Sequence, residues 1–313
     1  MYVDSKLQPI ILVCAADNNY AMPLAVTVRS ALANLESNRK IALFILDGGI
    51  SKFNKNKITK SLQSEQIDIS WLQIDDTQLK NPVLSRHITV ASYYRLLITE
   101  FLPPEFDKAI YLDTDMVVNG NLEELWNIPL KDNYLLAVQD DVQLYISMCD
   151  GLKNDHNLMS GSDYKYFNAG LLVINLEKWR KENIGTKVIE YINQNRKYLI
   201  NDQDGLNAIL AGKWGEIHPR WNQMPRIYDY SSWQESPYPE DIYKELLHKP
   251  YIIHFTNSPK PWYAGLQAEC KHPKKDLFFQ YLDMTSWSGW RDTFLRKLGR
   301  KFMKMTSLTT SKL

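Results

Sequence analysis

The sequence predicts an α/β protein in which a mainly parallel, mixed sheet is flanked by helices. Short apolar runs alternate with segments whose apolar residues recur at helical spacing, and this β-α-β-α order is typical of such sheets. Apolar content of 44% and charged content of 23% are ordinary for a soluble globular protein. The 313 residues could form one or two domains, and the lack of a repeat or composition break favours one.

The first part of the chain carries four predicted strands. The run PIILVCAAD is apolar up to Asp17, which predicts a buried strand. The run KIALFILDGGI predicts another, because it ends in the turn signal Asp47-Gly48-Gly49. The predicted elements are, in order, strand 9–17, helix 21–35, strand 40–50, helix 51–64, strand 67–75, helix 91–102 and strand 108–115.

Later segments are more mixed. Strands are predicted over 134–141, 165–176 and 250–257, one or two helices over 175–196, and a short helix over 202–212. Segment 219–240 is rich in proline, aromatic and polar residues, which predicts a long surface loop. Ligands bind at the carboxyl ends of parallel strands, and Asp17 and Asp113 stand at two such predicted ends.

Two carboxylates end the fourth predicted strand, in the stretch YLDTDMVV. Asp113 and Asp115 are two positions apart, so on a continuing strand their side chains point to one side. A hard divalent cation, Mg²⁺ or Mn²⁺, would relieve their repulsion. His254, after the apolar run YII, could be a third ligand, and imidazole suits Mn²⁺ better than Mg²⁺. A chance acidic pair and a core histidine are the plain alternatives.

Other polar residues near predicted strand ends could serve a nucleotide. Asp17, Asn19 and Tyr20 could bind a uracil or ribose, although a helix N-cap would explain the first two equally well. Lys260, between two prolines, could meet a phosphate, although an ordinary surface lysine is the default. Arg95 is a candidate partner for a phosphate or carboxylate.

Several classes of function are disfavoured. The net charge of +1 argues against nucleic-acid binding driven by bulk electrostatics. Phosphate-loop, dinucleotide, G-x-S-x-G and H-E-x-x-H motifs are absent from the sequence. The three scattered cysteines favour reduced thiols in a cytosolic protein, and the N-terminus is not predicted to be a signal peptide.

Six motifs in order resemble those of family eight of the retaining glycosyltransferases. They are AADNNY, RHITVASYYRL, YLDTDMVV, YFNAGLLVINLEKW, DQDGLN and HFTNSPKPW, and together they span about residues 9–265. The chain resembles the bacterial lipopolysaccharide galactosyl- and glucosyltransferase branch of that family more than it resembles glycogenin. The resemblance implies a single-domain, Rossmann-like nucleotide-sugar transferase fold of the A type. We expect a catalytic domain over 1–265 and a helical, basic extension over 266–313.

The resemblance also implies roles for individual residues. Mn²⁺, or Mg²⁺ in its place, would be held by Asp113, Asp115 and His254. The uridine segment would be Ala15, Asp17, Asn19 and Tyr20. Arg95 would contact the donor sugar and Lys260 the diphosphate. The residues around the transferred sugar would be Gln203, Asp202, Asp140 and Asn168, with Gln203 beside the anomeric carbon.

One position departs from the family pattern. Relatives carry glycine three residues after the histidine, where this chain has Asn257. Asparagine is the best substitute for a glycine that adopts positive φ or lies close to a phosphate. We therefore expect the loop to be intact and place Asn257 among the residues near the donor.

The expected activity is transfer of galactose or glucose from a UDP-sugar to a glycan or glycolipid acceptor, with an α linkage and Mn²⁺ dependence. A nucleotide-sugar hydrolase, a nucleotidyltransferase and a non-catalytic UDP-sugar-binding protein are the alternatives. Basic residues alternate with apolar ones over 291–304, which predicts an amphipathic helix that could touch an anionic membrane; a solvated terminal helix is equally compatible. The expected location is cytoplasmic, with peripheral contact on the inner face of the membrane.

Overall fold

The computed structural model describes residues 8–75, 79, 89–153, 155, 158, 163–198, 201–263 and 270–292. Within these residues the strands are β1 Ile10–Ala16, β2 Ile41–Asp47, β3 Ile67–Gln73, β4 Lys108–Leu112, β5 Met116–Val118, β6 Leu135–Gln139, β7 Phe167–Asn175, β8 Gly215–Glu216 and β9 Ile252–His254. The α-helices are α1 Ala21–Ala33, α2 Lys52–Ser61, α3 Val90–Tyr93, α4 Ile98–Phe101, α5 Leu122–Asn127, α6 Leu176–Glu182, α7 Ile184–Gln194, α8 Asp202–Ile209, α9 Glu240–His248 and α10 Lys275–Leu282.

Seven strands form one sheet in the order β3-β2-β1-β4-β7-β6-β8. The pairs β3/β2, β2/β1, β1/β4 and β6/β8 are parallel, whereas β7 runs antiparallel to both of its neighbours. Strands β5 and β9 form a separate antiparallel pair. The predicted fold class, a mainly parallel mixed sheet flanked by helices, is confirmed.

The sheet separates two apolar clusters, because consecutive residues of β1 point to opposite faces. Ile10, Leu12 and Cys14 face the cluster that contains α1 and α10. Ile11 and Val13 face the cluster that contains α6 and α7. The central strands are buried on both faces, which explains why they appear as continuous apolar runs in the sequence.

The segment after the family-like motifs packs against this core. Phe278 of α10 is fully buried in the α1 cluster, and Ser286 N–H donates to Ser61 Oγ of α2 at 2.8 Å. The predicted basic amphipathic helix lies almost entirely in 293–313, outside the described residues. Among the residues that are described, no helix is long and apolar enough to cross a membrane.

Two predicted elements differ from the structure. The single helix predicted over 91–102 is three short pieces, because a 3-10 turn at Tyr94–Leu97 separates α3 from α4. The predicted surface loop 219–240 is largely three 3-10 turns, and its first turn is buried at Trp221 and Asn222. That turn packs beneath β9, since Gln223 bonds to the backbone of Ile252 and His254.

Candidate active site

The polar residues singled out from the sequence gather at the carboxyl edge of the sheet. Strand β4 ends at Leu112, so Asp113, Thr114 and Asp115 form a turn into β5. Met116 of β5 lies opposite His254 of β9, which places the histidine beside Asp115. The loop that follows β9 then carries Lys260 back to the same carboxylate. The short antiparallel pair β5/β9 thus brings Asp115 into contact with residues about 140 positions later in the chain.

Asp113, Asp115 and His254 form a compact set of potential metal ligands. Each offers one ligand atom, and these atoms all lie within 4.8 Å of one another. Asp115 Oδ1 lies 3.1 Å from His254 Nε2, yet it is buried and accepts no hydrogen bond from the described residues. Two carboxylates and an imidazole suit a divalent cation, and the imidazole favours Mn²⁺ over Mg²⁺. The residues present therefore fit the metal that the sequence motifs imply.

Gly170 leaves the space that the His254 ring occupies. A Cβ at this position would lie 2.4 Å from His254 Cε1 and 2.9 Å from the methyl group of Met116. No side chain larger than hydrogen fits there without moving the imidazole. The glycine in the sequence stretch FNAG is thus explained by close packing against a proposed ligand.

Basic side chains give the two carboxylates different electrostatic environments. Lys260 is buried and donates to Asp115 Oδ2 at 2.8 Å, with its other hydrogen bonds going to the carbonyl oxygens of Phe255 and Thr256. Burial tends to raise the pKa of Asp115, but the Lys260 ammonium opposes that shift, and the pKa of Asp115 lies well below its usual value. The default expectation of an ordinary surface lysine is wrong for Lys260.

Asp113 is held by Arg95, which is also buried. Arg95 Nη2 lies 3.0 Å from Asp113 Oδ1, and the Tyr111 hydroxyl donates to the same oxygen at 2.9 Å. The guanidinium also stacks over the Tyr111 ring at 4.7 Å. Burial raises the pKa of Asp113 above its usual value; Arg95 opposes that shift and the nearby Asp115 adds to it.

Arg95 links this carboxylate to the start of α8. Its Nε lies 2.9 Å from Asp202 Oδ2, but the Nε–H bond is directed to the carbonyl of Ser92, so Arg95 and Asp202 Oδ2 form an ion pair without a hydrogen bond. Burial raises the pKa of Asp202 to about 6, against the attraction of Arg95. Within this structure Arg95 is a carboxylate partner, one of the two roles that the sequence allowed.

Helix α8 begins with a complete capping box. Asn201 accepts from Asp204 N–H, and Asp204 accepts from Asn201 N–H. Capping therefore accounts for Asp204 and leaves Asp202 and Gln203 to face the site. Gln203 Oε1 accepts the Ala169 N–H at 2.9 Å, and its Nε2 lies 3.4 Å from Asp140 Oδ2.

A chain of side-chain amides joins Asp140 to His254. Asn168 donates to Asp140 Oδ2 at 3.1 Å, and its Oδ1 accepts from Asn222 Nδ2 at 2.9 Å. Asn222 Oδ1 lies 2.9 Å from His254 Nδ1. All four residues are buried. Asn222 was not predicted from the sequence, because an asparagine in a segment rich in proline and aromatic residues carries no local signal.

The loop after β1 forms the other wall. Asp17 Oδ1 accepts from the N–H groups of Asn19 and Tyr20, so the helix-cap interpretation holds for Asp17. Asn19 is exposed, as is Asn257, the residue at the departing position. The cleft beside this loop is lined by Ala15, Ala16, Asp17, Tyr20, Thr89, Ala91, Ser92, Tyr111, Asp113, Thr114 and Asp115.

An aromatic column supports this wall from below. The Tyr20 ring meets Trp262 edge-on with centroids 5.8 Å apart, and Trp262 packs on Phe278 of α10 at 5.1 Å. Trp262 and Phe278 are buried, whereas Tyr20 is half-buried beside the cleft. The position of Tyr20 therefore depends on residues from near the end of the described chain.

Comparison with known proteins connects this geometry to one family. The model of glycosyl transferase family 8 matches residues 11–265. General stress protein A of Bacillus subtilis is 34% identical over 281 residues, which cover 88% of this chain and 94% of that protein. A lipopolysaccharide 1,2-glucosyltransferase of Escherichia coli is 29% identical over 274 residues, which cover 87% of this chain and 77% of that protein.

Solved structures agree. The galactosyltransferase LgtC, in complex with donor and acceptor sugar analogues, superimposes with a TM-score of 0.73 at 28% identity, covering 90% of this chain and 99% of its own. A second LgtC structure, of an active-site mutant with glutamine replaced by glutamate, gives a TM-score of 0.72 at 27% identity. The motif order, the mixed sheet with its polar carboxyl edge and the extent of these matches lead to one conclusion: the chain belongs to glycosyl transferase family 8 and is a glycosyltransferase.

Proposed function

We propose that this enzyme transfers galactose or glucose from a UDP-hexose to a glycan or glycolipid acceptor, with retention of configuration and an α linkage. The observation that carries the proposal is the convergence of Asp113, Asp115 and His254, two of which line the same cleft as the loop after β1. Two relatives add support, because one is named as a lipopolysaccharide glucosyltransferase and the other as a galactosyltransferase with donor and acceptor sugar analogues.

Asp113, Asp115 and His254 would hold the divalent cation, for which we propose Mn²⁺, with Mg²⁺ as the alternative. Such an ion would neutralise the donor diphosphate and stabilise the charge that develops on departing UDP. Lys260 would add a second positive charge on the same side, since its ammonium already lies 2.8 Å from Asp115. Because Lys260 is buried and bonded to two backbone carbonyls, its charge is preorganised rather than free to follow solvent.

The nucleoside would occupy the cleft beside β1. Ala15, Asp17 and Tyr20 line that cleft, and Tyr20 offers a half-buried ring for contact with the base. Asn19 and Asn257 are exposed and are not among the residues that line this cleft. We therefore rank them below the buried residues as determinants of donor affinity.

The residues proposed to surround the sugar are ill suited to act as a nucleophile. Gln203 is an amide whose Oε1 already accepts the Ala169 N–H, and Asp202 is tied to Arg95. Asp140 accepts from Asn168 and from the backbone N–H groups of Val142 and Gln143. A two-step route needs a free nucleophile. These contacts favour front-face attack, in which the acceptor oxygen bonds to the anomeric carbon as the C–O bond to UDP breaks and the acceptor proton passes to the leaving phosphate.

The test is UDP release from a panel of UDP-sugars, without acceptor, in Mn²⁺ and in EDTA. We expect slow hydrolysis of one UDP-hexose that requires Mn²⁺ and is abolished by Asp115→Asn. The exposed Asp68→Asn, which lies on the edge strand β3, is the matched control and should keep full activity. UDP binding without turnover, even with glycan acceptors added, would favour a non-catalytic binding protein. Failure to bind UDP at all would refute the donor assignment.

We also propose peripheral membrane contact through the basic segment at the end of the chain, because a lipid-linked acceptor would be reached from the membrane surface. Deleting residues 289–313 should reduce binding to anionic liposomes while leaving UDP binding intact. Unchanged liposome binding would contradict this part of the proposal. The division into a catalytic domain over 1–265 and an extension over 266–313 likewise stays a prediction.

A further inference from the structure

We infer that Asn222 is a positioning residue that fixes the tautomer of His254, so that the Nε2 lone pair faces the carboxylates of Asp113 and Asp115. The inference deepens the proposed function and rests on it where the bound metal is concerned. The donor and the acceptor of each hydrogen bond in the amide chain can be assigned by starting from groups that can only donate or only accept. The tautomer of His254 follows from these assignments.

The orientation of the Asn168 side-chain amide is assigned first. The Gly170 backbone N–H can only donate, and it lies 3.0 Å from Asn168 Oδ1. On the other side of the amide, Asn168 Nδ2 lies 3.1 Å from Asp140 Oδ2, and a carboxylate accepts. Both neighbours therefore assign the same orientation to the Asn168 amide, independently of each other.

The orientation of Asn168 decides that of Asn222. Asn168 Oδ1 can only accept, so the atom of Asn222 that meets it at 2.9 Å must be the NH₂ group. Asn222 Oδ1 is then the atom that meets His254 Nδ1 at 2.9 Å. An amide oxygen only accepts, so the proton of the neutral imidazole resides on Nδ1 and the lone pair resides on Nε2.

The other end of the imidazole is consistent with this tautomer. Asp115 Oδ1 lies 3.1 Å from His254 Nε2, and this contact lacks the geometry of a hydrogen bond. A lone pair and a carboxylate oxygen thus lie side by side in a buried site. This is the arrangement that a metal ligand needs, with its second ring nitrogen held by an outer partner.

Reversing the tautomer would require both amides to flip. Asn168 would then set its NH₂ group against the Gly170 N–H and its oxygen against Asp140, which places two donors together and two acceptors together in a buried region. The amide chain therefore couples Asp140, on the proposed sugar side, to a ligand on the proposed metal side. Asn222 is its central link, and it belongs neither to the potential metal ligands nor to the residues that line the cleft.

The experiment compares Asn222→Ala with Asn222→Asp in the full-length chain. Long-range ¹⁵N–¹H NMR of the histidine ring, recorded in metal-free protein, gives the tautomer of His254. Titration with Mn²⁺ alone, followed by electron paramagnetic resonance, gives the metal affinity. Asn34→Ala is the matched control, because it removes hydrogen bonds to Ser30, Val118 and Tyr281 away from the site.

We expect the wild type, Asn34→Ala and Asn222→Asp to keep the Nδ1–H tautomer, since aspartate still offers an acceptor to Nδ1. Asn222→Ala should give mixed tautomers and about 10- to 100-fold weaker Mn²⁺ binding. An Nε2–H tautomer in the wild type would overturn the inference. So would Mn²⁺ affinity of Asn222→Ala within twofold of the wild type, or loss of the Nδ1–H proton in Asn222→Asp. If the wild type binds no Mn²⁺ at all, the proposed metal function fails, while the tautomer measurement still decides the role of Asn222.

Discussion

Substitution of Gly170 by alanine tests whether the His254 ring is placed by backbone packing. The added Cβ would lie 2.4 Å from His254 Cε1, whereas ordinary contact begins at 3.4 Å, so the ring or the strand must move by about 1 Å. The ring cannot yield freely, because Asn222 holds Nδ1 and the buried Asp115 lies at Nε2. Overpacking of this kind costs about 1–3 kcal/mol of folding free energy.

The larger effect should be on metal binding. Ligand distances in metal sites vary by only about 0.2 Å, so a displacement of about 1 Å should weaken Mn²⁺ binding by at least tenfold. Thermal unfolding and Mn²⁺ titration measure the two effects separately. The control is Gly120→Ala, whose Cβ would lie 2.6 Å from Tyr251 Cγ and therefore strains the fold without touching His254. Equal Mn²⁺ affinity in Gly170→Ala and Gly120→Ala would show that packing against Gly170 does not set the position of the His254 ring.

Three further predictions concern stability. Burial lowers the pKa of His272 to about 4, so below pH 6.5 the folded state binds fewer protons than the unfolded state. The free energy of unfolding should therefore decrease by up to about 3 kcal/mol as the pH falls from 6.5 to 4. His272→Gln should remove that decrease in pH-dependent melting curves. Burial and the neighbouring Asp140 raise the pKa of Asp141 to about 7, so stability should fall as pH rises from about 4 to 7, and Asp141→Asn should melt higher than wild type at pH 8 but not at pH 4. Phe278→Ala, at a fully buried position, should lower the free energy of unfolding by about 3–5 kcal/mol in denaturant unfolding and should weaken UDP binding in calorimetry. Unchanged UDP affinity would show that the position of Tyr20 does not depend on Phe278.

The sequence was informative where local pattern decides the structure. Strands β1, β2 and β4 are buried on both faces, so each is a continuous apolar run; Asp17 and Asp113 directly follow β1 and β4, and Asp47 is the last residue of β2. Motif order then identified the family and the α/β fold. The residues that the motifs pointed to at the sheet edge, Asp113, Asp115 and His254, are brought together by the fold.

Features that depend on distant contacts were not predictable. Lys260 was a candidate for contact with a phosphate, with a surface lysine as the default, and only the β5/β9 pairing shows that its ammonium is buried against Asp115. Asn222 lies in a segment whose local composition gives no sign of a site, and its role follows from His254, 32 residues away. Tyr111 lies within the motif YLDTDMVV, but its position in an apolar run does not indicate that its hydroxyl donates to Asp113. The break between α3 and α4 was missed because a 3-10 turn keeps an apolar spacing close to that of an α-helix.

The aromatic column Tyr20–Trp262–Phe278 limits how far the protein can be shortened from its C-terminal side. The region matched by the family model stops at residue 265, yet the ring that supports the donor wall belongs to α10, which begins at Lys275. A shortened protein designed on the family boundary would leave the buried face of Trp262 open to water and remove the surface on which Tyr20 is braced. The minimal unit able to bind donor should therefore extend through Leu282, and fragments ending at residue 265 should be poorly soluble as well as inactive.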